Sequence, residues 1–430
     1  MSQCGSVFQR CGCRDEATKR QLNDRCLGLV DPGHGTWYFA AYVPALTGGR
    51  SRIRRGGHHS RAEAEQARLT LLSMPENRAA GQSLTLKRWL KQWLSAMKDH
   101  IRPSTMRGYR EHVHNYLIPA LGHFKLASLR IAHVQAAFRT ISTRRTRSGR
   151  LLAASTQNRI RATLRSSLSE AVRQDFIATN PACRIRLPSP HRVRPVLWTA
   201  AREAAWRATG VRPPVAVWTR PHLVTFLSTV RNDPHFALWW LVALTGLRRG
   251  ETAALRWSDV DLENATLTVS KQIVVVDGQD VIGPPKSASS SRTIALDATT
   301  VELLRGEWRR HRNTLRTTGR NPDGHLFVND TDQPLRPDYL TRRLGKLIAN
   351  ADLPPVRLHD LRHGAASLAL AAGVDLKVIQ HMLGHSSIVT TADIYTTVLS
   401  EAAHHAAEAT AALVLESART RLSLAGASQA

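Results

Sequence analysis

The chain has 430 residues, and its 60 Lys and Arg against 33 Asp and Glu give a formal charge of +27, the electrostatic footprint of a nucleic-acid binder. With 42% hydrophobic residues it can bury at least one sizeable core, and at ~150 residues per domain it should hold two to four domains. No apolar run of about 18 residues and no apolar leader core is present, so no membrane contact is expected and the protein should be cytoplasmic.

Residues 1–79 should form a small α+β domain. Four of the five cysteines (Cys4, Cys11, Cys13 and Cys26) crowd its start, a pattern of a local device and not of a cross-linked secreted protein. Cys11, Cys13, Cys26 and His34 offer three thiolates and an imidazole, the donor set of a closed structural zinc site, with free thiols as the competing reading. The aromatic pattern of TWYFAAYVPAL (36–46) predicts a strand, followed by a turn and basic run, TGGRSRIRRGGHH (47–59). Ser60 with Glu63 three residues on predicts a capping box that opens a helix. Arg50, Arg52, Arg54 and Arg55 then lie on the turn and strand, and strands enter DNA grooves as helices do; a solvated hairpin is the plain alternative.

Residues 80–196 read as helical. TLKRWLKQWLSAMKDH places Leu86, Trp89, Leu90, Trp93 and Met97 on one stripe at helical spacing, which predicts a core-facing helix. PSTMRGYREHVHNYLIPALG predicts a second helix that starts at Ser104 and stops at Pro119 and Gly122. ASTQNRIRATLRSSLSEAVRQDF predicts a third, with Ile160, Leu164 and Leu168 inside and Arg159, Arg161 and Arg165 outside as candidate DNA contacts. RLPSPHRVRP (186–195) reads as a connector, and residues 197–219, where Pro213 and Pro214 oppose a continuous helix, as a linker.

From 220 to 400 the pattern is mixed. HFALWWLVALTG predicts a buried helix, and ATLTV, KQIVVV and RTIAL predict strands with an Asp277-Gly278 hairpin turn. Residues 401–430 form an Ala-rich C-terminal helix and tail, a candidate contact between protomers. Four short segments hold the chemistry. TGLRRGE (245–251) carries Arg248 and Glu251, and GPPKSASSSRTIAL (283–296) carries Lys286. RLHDLRHGAASL (357–368) carries His359 and Arg362, and LGHSSIVTTADIYTTV (383–398) carries His385 and Tyr395. His359 and His363 stand four apart, the spacing of two ligands to one metal, whereas His359 and Arg362 stand three apart and suit a phosphate. No acidic ligand cluster supports the metal reading. The phosphate reading has a full kit: guanidiniums to neutralise nonbridging oxygens, a lysine to protonate a departing alkoxide, imidazoles to move protons, and a tyrosine to form a covalent phosphate ester.

At these segments the chain resembles the tyrosine recombinases, specifically the site-specific integrases of phages and integrative elements. The phrases TGLRRGE, RLHDLRH, LGHSS and IYTTV stand in the family's order and approximate spacing, and the resemblance covers residues 220–400. It implies a multidomain protein: a small α+β arm-type domain (1–79), an all-α, SAM-like core-binding domain (80–196) and a mainly α catalytic domain with a small β-sheet (220–400). Carried over by position, Arg248 and Arg362 would clamp the scissile phosphate, and Lys286 would act as general acid toward the 5′-hydroxyl. His359 would transfer protons, His385 would donate to a nonbridging oxygen, and Tyr395 would be the nucleophile. Glu251 would orient the clamp. Tyr339 is the competing tyrosine, and His363 and His381 are expected to cap or pack.

The implied activity is cleavage and rejoining of double-stranded DNA at attachment sites through a 3′-phosphotyrosyl intermediate and a Holliday junction, integrating or excising a mobile element. The implied enzyme works as a homotetramer at the bacterial nucleoid, with no metal or ATP for its chemistry and with an excision or DNA-bending protein as a further partner. A type IB topoisomerase-like nicking-closing enzyme shares the kit. A catalytically silent DNA-binding regulator and a metallo-nuclease built on His359 and His363 are the readings from other classes.

Overall fold

In the computed structural model, Phe39, Ala41 and Val43 alternate inward along one strand, as a two-residue period requires, and pack with Ile53 and Leu71 in the first small core. The residues described are 5–388, 410–412 and 415, apart from 17, 32, 45–49, 75, 147, 191–192 and 319–323. They fall into two compact units, Met1–His191 and Arg192–Ala430.

The first unit opens with a four-stranded antiparallel sheet of β1 (Gly5–Arg14), β2 (Gln21–Asn23), β3 (Thr36–Pro44) and β4 (Arg50–His58), in the order β2-β1-β3-β4. The long β1 was not legible as a strand, because its apolar residues are few. Helix α1 (Arg61–Leu72) covers one sheet face and starts at the expected N-cap: Ser60 Oγ accepts from Glu63 N–H at 3.1 Å, but the Glu63 carboxylate accepts from His59 N–H at 2.8 Å, one residue before the N–H that a full capping box uses. Helix α2 (Glu76–Ser83) crosses the expected 79/80 boundary and links two cores, with Ala79 in the sheet core and Ala80 in the helical one.

The helical part follows with α3 (Leu86–Met97), α4 (Pro103–His112), α5 (Ile118–Leu121), α6 (Ile131–Ser142) and α7 (Ala154–Arg173). Leu86, Trp89, Leu90 and Trp93 are buried, and Trp89 Nε1 donates to Ser167 O at 3.1 Å. Pro119 does not stop the second helix, contrary to expectation. A π-helical turn, Val113–Leu117, precedes it and places the proline in the first turn of α5, where its missing N–H costs nothing.

The second unit begins with β5 (Val196–Leu197), α8 (Ala200–Thr209) and β6 (Ala216–Val217). This corrects the reading of 197–219 as a linker. β5 and β6 pair in parallel, and Trp198 and Trp218 are buried and donate to Pro355 O (3.3 Å) and Pro354 O (2.8 Å). The prolines did interrupt a helix, but two indoles without local signal anchor the segment into a core more than a hundred residues away. Next come α9 (Arg220–Thr229), the buried α10 (Phe236–Thr245) and α11 (Arg249–Ala254). The strands are β7 (Val260–Asp261), β8 (Thr266–Val269), β9 (Gln272–Val276), β10 (Gln279–Gly283) and β11 (Arg292–Ala295). β11, β8 and β7 form one small sheet, and β9–β10 is a hairpin whose Asp277 and Gly278 take φ of 51° and 83°, as the turn sequence predicts. Helices α12 (Ala298–Thr318), α13 (Pro337–Asn350), α14 (Leu358–Ala371) and α15 (Leu376–Leu383) complete the described fold. No helix among the described residues is long and apolar enough to cross a membrane.

Candidate active site

Helix ends converge on the site. Helix α10 closes at Gly246, whose φ of 64° is left-handed, and a Cβ there would lie 2.8 Å from Leu383 Cδ2. Helix α15 closes the same way at Gly384 (φ 65°), where a Cβ would lie 2.8 Å from Ser289 O and 2.9 Å from Arg292 Cδ. These glycines let the two helix C-termini approach the basic side chains.

Arg248 caps α11. Glu251, three residues on, accepts from its backbone N–H at 3.0 Å and from its Nη1 at 2.6 Å. The Arg248 guanidinium also donates to Ser290 Oγ (3.3 Å) and Gly384 O (3.2 Å), and its side chain keeps 32% of its surface exposed. Arg362 is 1% exposed; its Nη1 donates to Gly246 O at 2.8 Å and its Nη2 to Leu383 O. Those two bonds to the ends of α10 and α15 orient a fork whose remaining N–H groups are available to an oxygen ligand. Burial and the nearby Arg248 push Arg362 down to about 9, still charged at neutral pH.

Sequence reasoning missed Arg292. Its side chain is 1% exposed; Nη2 donates to Glu251 Oε2 (3.0 Å), Nε to Met382 O (2.6 Å) and Nη1 to Ser290 O (2.9 Å). Burial acts to raise the Glu251 carboxyl, but the Arg292 bond and charge, with those of Arg248, outweigh it and hold the group below its usual value. One carboxylate therefore braces two guanidiniums. The available signal was its place in RTIAL, where Arg292 falls on the same two-residue period as the buried Ile294.

Arg357 is the N-cap of α14, and Asp360 accepts from its N–H at 3.1 Å, which sets His359 and Arg362 in the first two turns. His385 lies just past α15, held by N–H donation to Gln380 O (3.1 Å) and by Gln380 Nε2 donating to His385 O (3.0 Å). Burial, then Arg362 and Arg248, pushes His385 down to about 3; burial, then His363 and Arg362, pushes His359 down to about 4. His359 keeps an exposed surface, so solvent screens it more than it does half-buried His385. Both rings are held neutral at pH 7 by these shifts. His363, half-buried and 5.3 Å from the His359 ring, sits behind it.

A stability consequence has a definite sign. Between about pH 6.5 and 4 the unfolded chain protonates these histidines while the folded chain does not, so the unfolded state binds more protons and stability falls on acidification. The unfolding temperature of the DNA-free protein should drop steadily from pH 6.5 to 5; a flat or rising profile would refute neutral site histidines.

Lys286 is exposed between β10 and β11, on the segment whose Ser290 touches Arg248. Among the described residues no hydrogen bond or ion pair engages it. Tyr395 and the expected C-terminal helix lie outside the described residues, the helix almost entirely. Tyr339 packs partly buried on the core, its ring 6.2 Å from that of His235. Among the described residues, groups of three or more potential metal ligands are confined to the N-terminal cysteines, so the His359/His363 pair finds no third ligand there.

The candidate DNA-binding arginines divide by face. Arg50, Arg52 and Arg54 alternate outward on β4, whereas Arg55 points to the helix side and donates to Gln82 at 2.5 Å. The register places Arg54 opposite Ala40, Arg52 opposite Tyr42, and Phe8 opposite Tyr38. The Phe8 and Tyr38 rings stack at 5.9 Å with Arg10 over Phe8. Arg10, which the sequence reading passed over, thus joins an open aromatic and basic face. On α7, Arg159 and Arg165 are exposed, but Arg161 is partly withdrawn and donates to Ile185 O at 3.2 Å.

Cys11, Cys13, Cys26 and His34 also converge: their ligand atoms all lie within 4.8 Å of one another. Cys13 Sγ and Cys26 Sγ stand 3.3 and 3.5 Å from His34 Nε2. The hydrogen bond with Cys11, followed by desolvation, pushes the Cys13 thiol up to about 11.

Arg248 and Arg292, braced by one carboxylate, thus stand with Arg362 and the His359 and His385 imidazoles in one candidate site. Residues 223–402 match the phage integrase family and residues 85–140 the phage integrase N-terminal SAM-like domain. The chain belongs to the phage integrase family, the tyrosine recombinases. It is 33% identical over 192 residues to the ICEBs1 integrase of Bacillus subtilis, covering 43% of this chain and about half (51%) of that relative. It is 23% identical over 343 residues to a XerC-like tyrosine recombinase of Caldanaerobacter subterraneus subsp. tengcongensis, covering 76% and 83%. In fold it is similar to the Tn1549 transposon integrase, solved in complex with a circular intermediate DNA, at a TM-score of 0.56 and 20% identity over 72% of this chain and 94% of that one.

Proposed function

We propose that this protein is a site-specific DNA integrase that cuts and rejoins duplex DNA through a 3′-phosphotyrosyl intermediate at Tyr395 and a Holliday junction, integrating or excising a mobile element. The observation that carries the reading is the Arg248–Glu251–Arg292 network set against Arg362 and His385 at two converging helix ends. Arg248 and Arg362 neutralise the charge that builds on the nonbridging oxygens. Neutral His385 donates to one of those oxygens, and neutral His359 accepts the tyrosine proton. Lys286, on its exposed segment, protonates the departing 5′-oxygen. The named relatives and the DNA-bound neighbour support double-stranded DNA as substrate; a homotetramer on paired attachment sites, action at the nucleoid and an excision or DNA-bending accessory protein complete the proposed reading. Catalysis needs no cofactor. We further propose that Cys11, Cys13, Cys26 and His34 hold a structural zinc, since three thiolates and an imidazole are its usual closed donor set.

The test is a duplex from the junction of the encoding element, nicked beside the core so that cleavage cannot reverse. Wild type should form a covalent protein–DNA adduct in EDTA, and Tyr395→Phe should form none. An adduct with Tyr395→Phe would reassign the nucleophile, and EDTA sensitivity of cleavage would revive a metal-dependent reading.

A further inference from the structure

The segment between β1 and β3 has almost nothing apolar to hold it. Its short 3-10 turn, Leu27–Val30, buries no residue, and Leu27 and Val30 are 91% and 90% exposed. β2 has only three residues. A stretch this poor in burial does not hold one conformation by hydrophobic packing, and small units in that position use a metal or disulfides instead. The described cysteines here are free thiols.

What the segment does have is four ligand atoms brought together from separate places. Cys11 continues the side of β1 that carries Gln9 and Val7, which packs into the sheet core. Cys13 follows inside the register shift between Cys11 and Arg14, with its sulfur within 4.8 Å of the other ligand atoms. The two cysteines begin where the pairing of β1 with β3, which ends at Arg10 opposite Thr36, runs out. Cys26 closes from the start of the 3-10 turn and His34 from just before β3. Gln9 Nε2 donates to His34 O at 3.0 Å, which fixes the imidazole against β1. Two glycines make room. A Cβ on Gly28 would stand 3.0 Å from His34 Nε2, and one on Gly35 (φ 87°) would stand 2.5 Å from Arg10 O.

We propose that a zinc ion held by Cys11, Cys13, Cys26 and His34 replaces a hydrophobic core for the described residues between β1 and β3 and thereby keeps the neighbouring open face of the sheet in shape for DNA. The proposal rests on the zinc reading above and adds what the metal does. Arg10 precedes a ligand and points to the other side of β1, onto the face shared with Phe8, Tyr38, Arg52 and Arg54. Loss of the ion frees the end of β1, and with it Arg10, while the catalytic unit keeps all the groups it needs.

The full-length protein, purified under reducing conditions, should contain about one zinc per chain. Cobalt exchanged into it should show the visible bands of a tetrahedral thiolate site. Stripping the metal should speed trypsin cleavage after Arg20 and Arg25, both exposed, by about tenfold or more. It should also weaken binding to a mixed-sequence duplex, while adduct formation on the nicked core substrate continues. A protein that takes up neither zinc nor cobalt overturns the site itself. A protein that binds zinc but shows the same trypsin rate and duplex affinity after its removal keeps the site and overturns its role. Because metal is removed from the wild-type chain, the outcome does not depend on how Cys11→Ser or Cys13→Ser folds.

Discussion

Arg362→Lys is expected to slow formation of the covalent adduct by about 10²–10³-fold, the loss typical when one preorganised donor to a developing oxyanion is removed. The arginine is 1% exposed and spends two N–H groups on Gly246 O and Leu383 O, which leaves its fork aimed and already desolvated. A lysine ammonium cannot hold both carbonyls and a phosphate in one plane, so retaining the charge does not retain the function. Single-turnover adduct formation on the nicked duplex measures it. A rate within about threefold of wild type would show that this guanidinium does not serve the transition state.

The second large effect is on stability. Glu251→Gln should destabilise the catalytic unit by about 3–5 kcal/mol, the usual cost of leaving a buried charge without its partner. The charge left behind is Arg292, whose side chain is 1% exposed and whose only acidic partner among the described ion pairs is Glu251. Urea unfolding gives the number. Glu251→Leu combined with Arg292→Met should recover much of the loss, a coupling that a double-mutant cycle isolates. The same double mutant should stay slow in adduct formation, because Arg248 then lacks the carboxylate bonded to its N–H and Nη1. Losses of Glu251→Leu and Arg292→Met that simply add in the double mutant would mean that the two buried charges are not a pair.

Much of this site is legible in the sequence. Arg248, Glu251, His359, Arg362 and His385 are picked out by the resemblance of their short segments to the family's motifs, and the fold sets them around two glycine-closed helix ends. Arg292 is not legible as a brace, because its partners at positions 251 and 382 are far along the chain and carry no local mark. Arg54 and Arg55 look alike in a basic run, yet the strand period puts one outward and turns the other to Gln82. Trp198 and Trp218 look like linker residues because burial of an indole depends on what packs over it, here the carbonyls at 354 and 355.

The sequence by itself determined the enzyme family, the order of its SAM-like and integrase segments and the side-chain types of the N-terminal cluster. Those depend on which functional groups are present and on spacings of a few residues, which backbone geometry converts directly into position. Tertiary structure alone decided which charges are buried and braced, which arginines share the open sheet face, and that Cys11, Cys13, Cys26 and His34 meet within 4.8 Å. Those outcomes depend on contacts between distant segments, and the free energy of a contact is set by the solvent it loses, which no local pattern records.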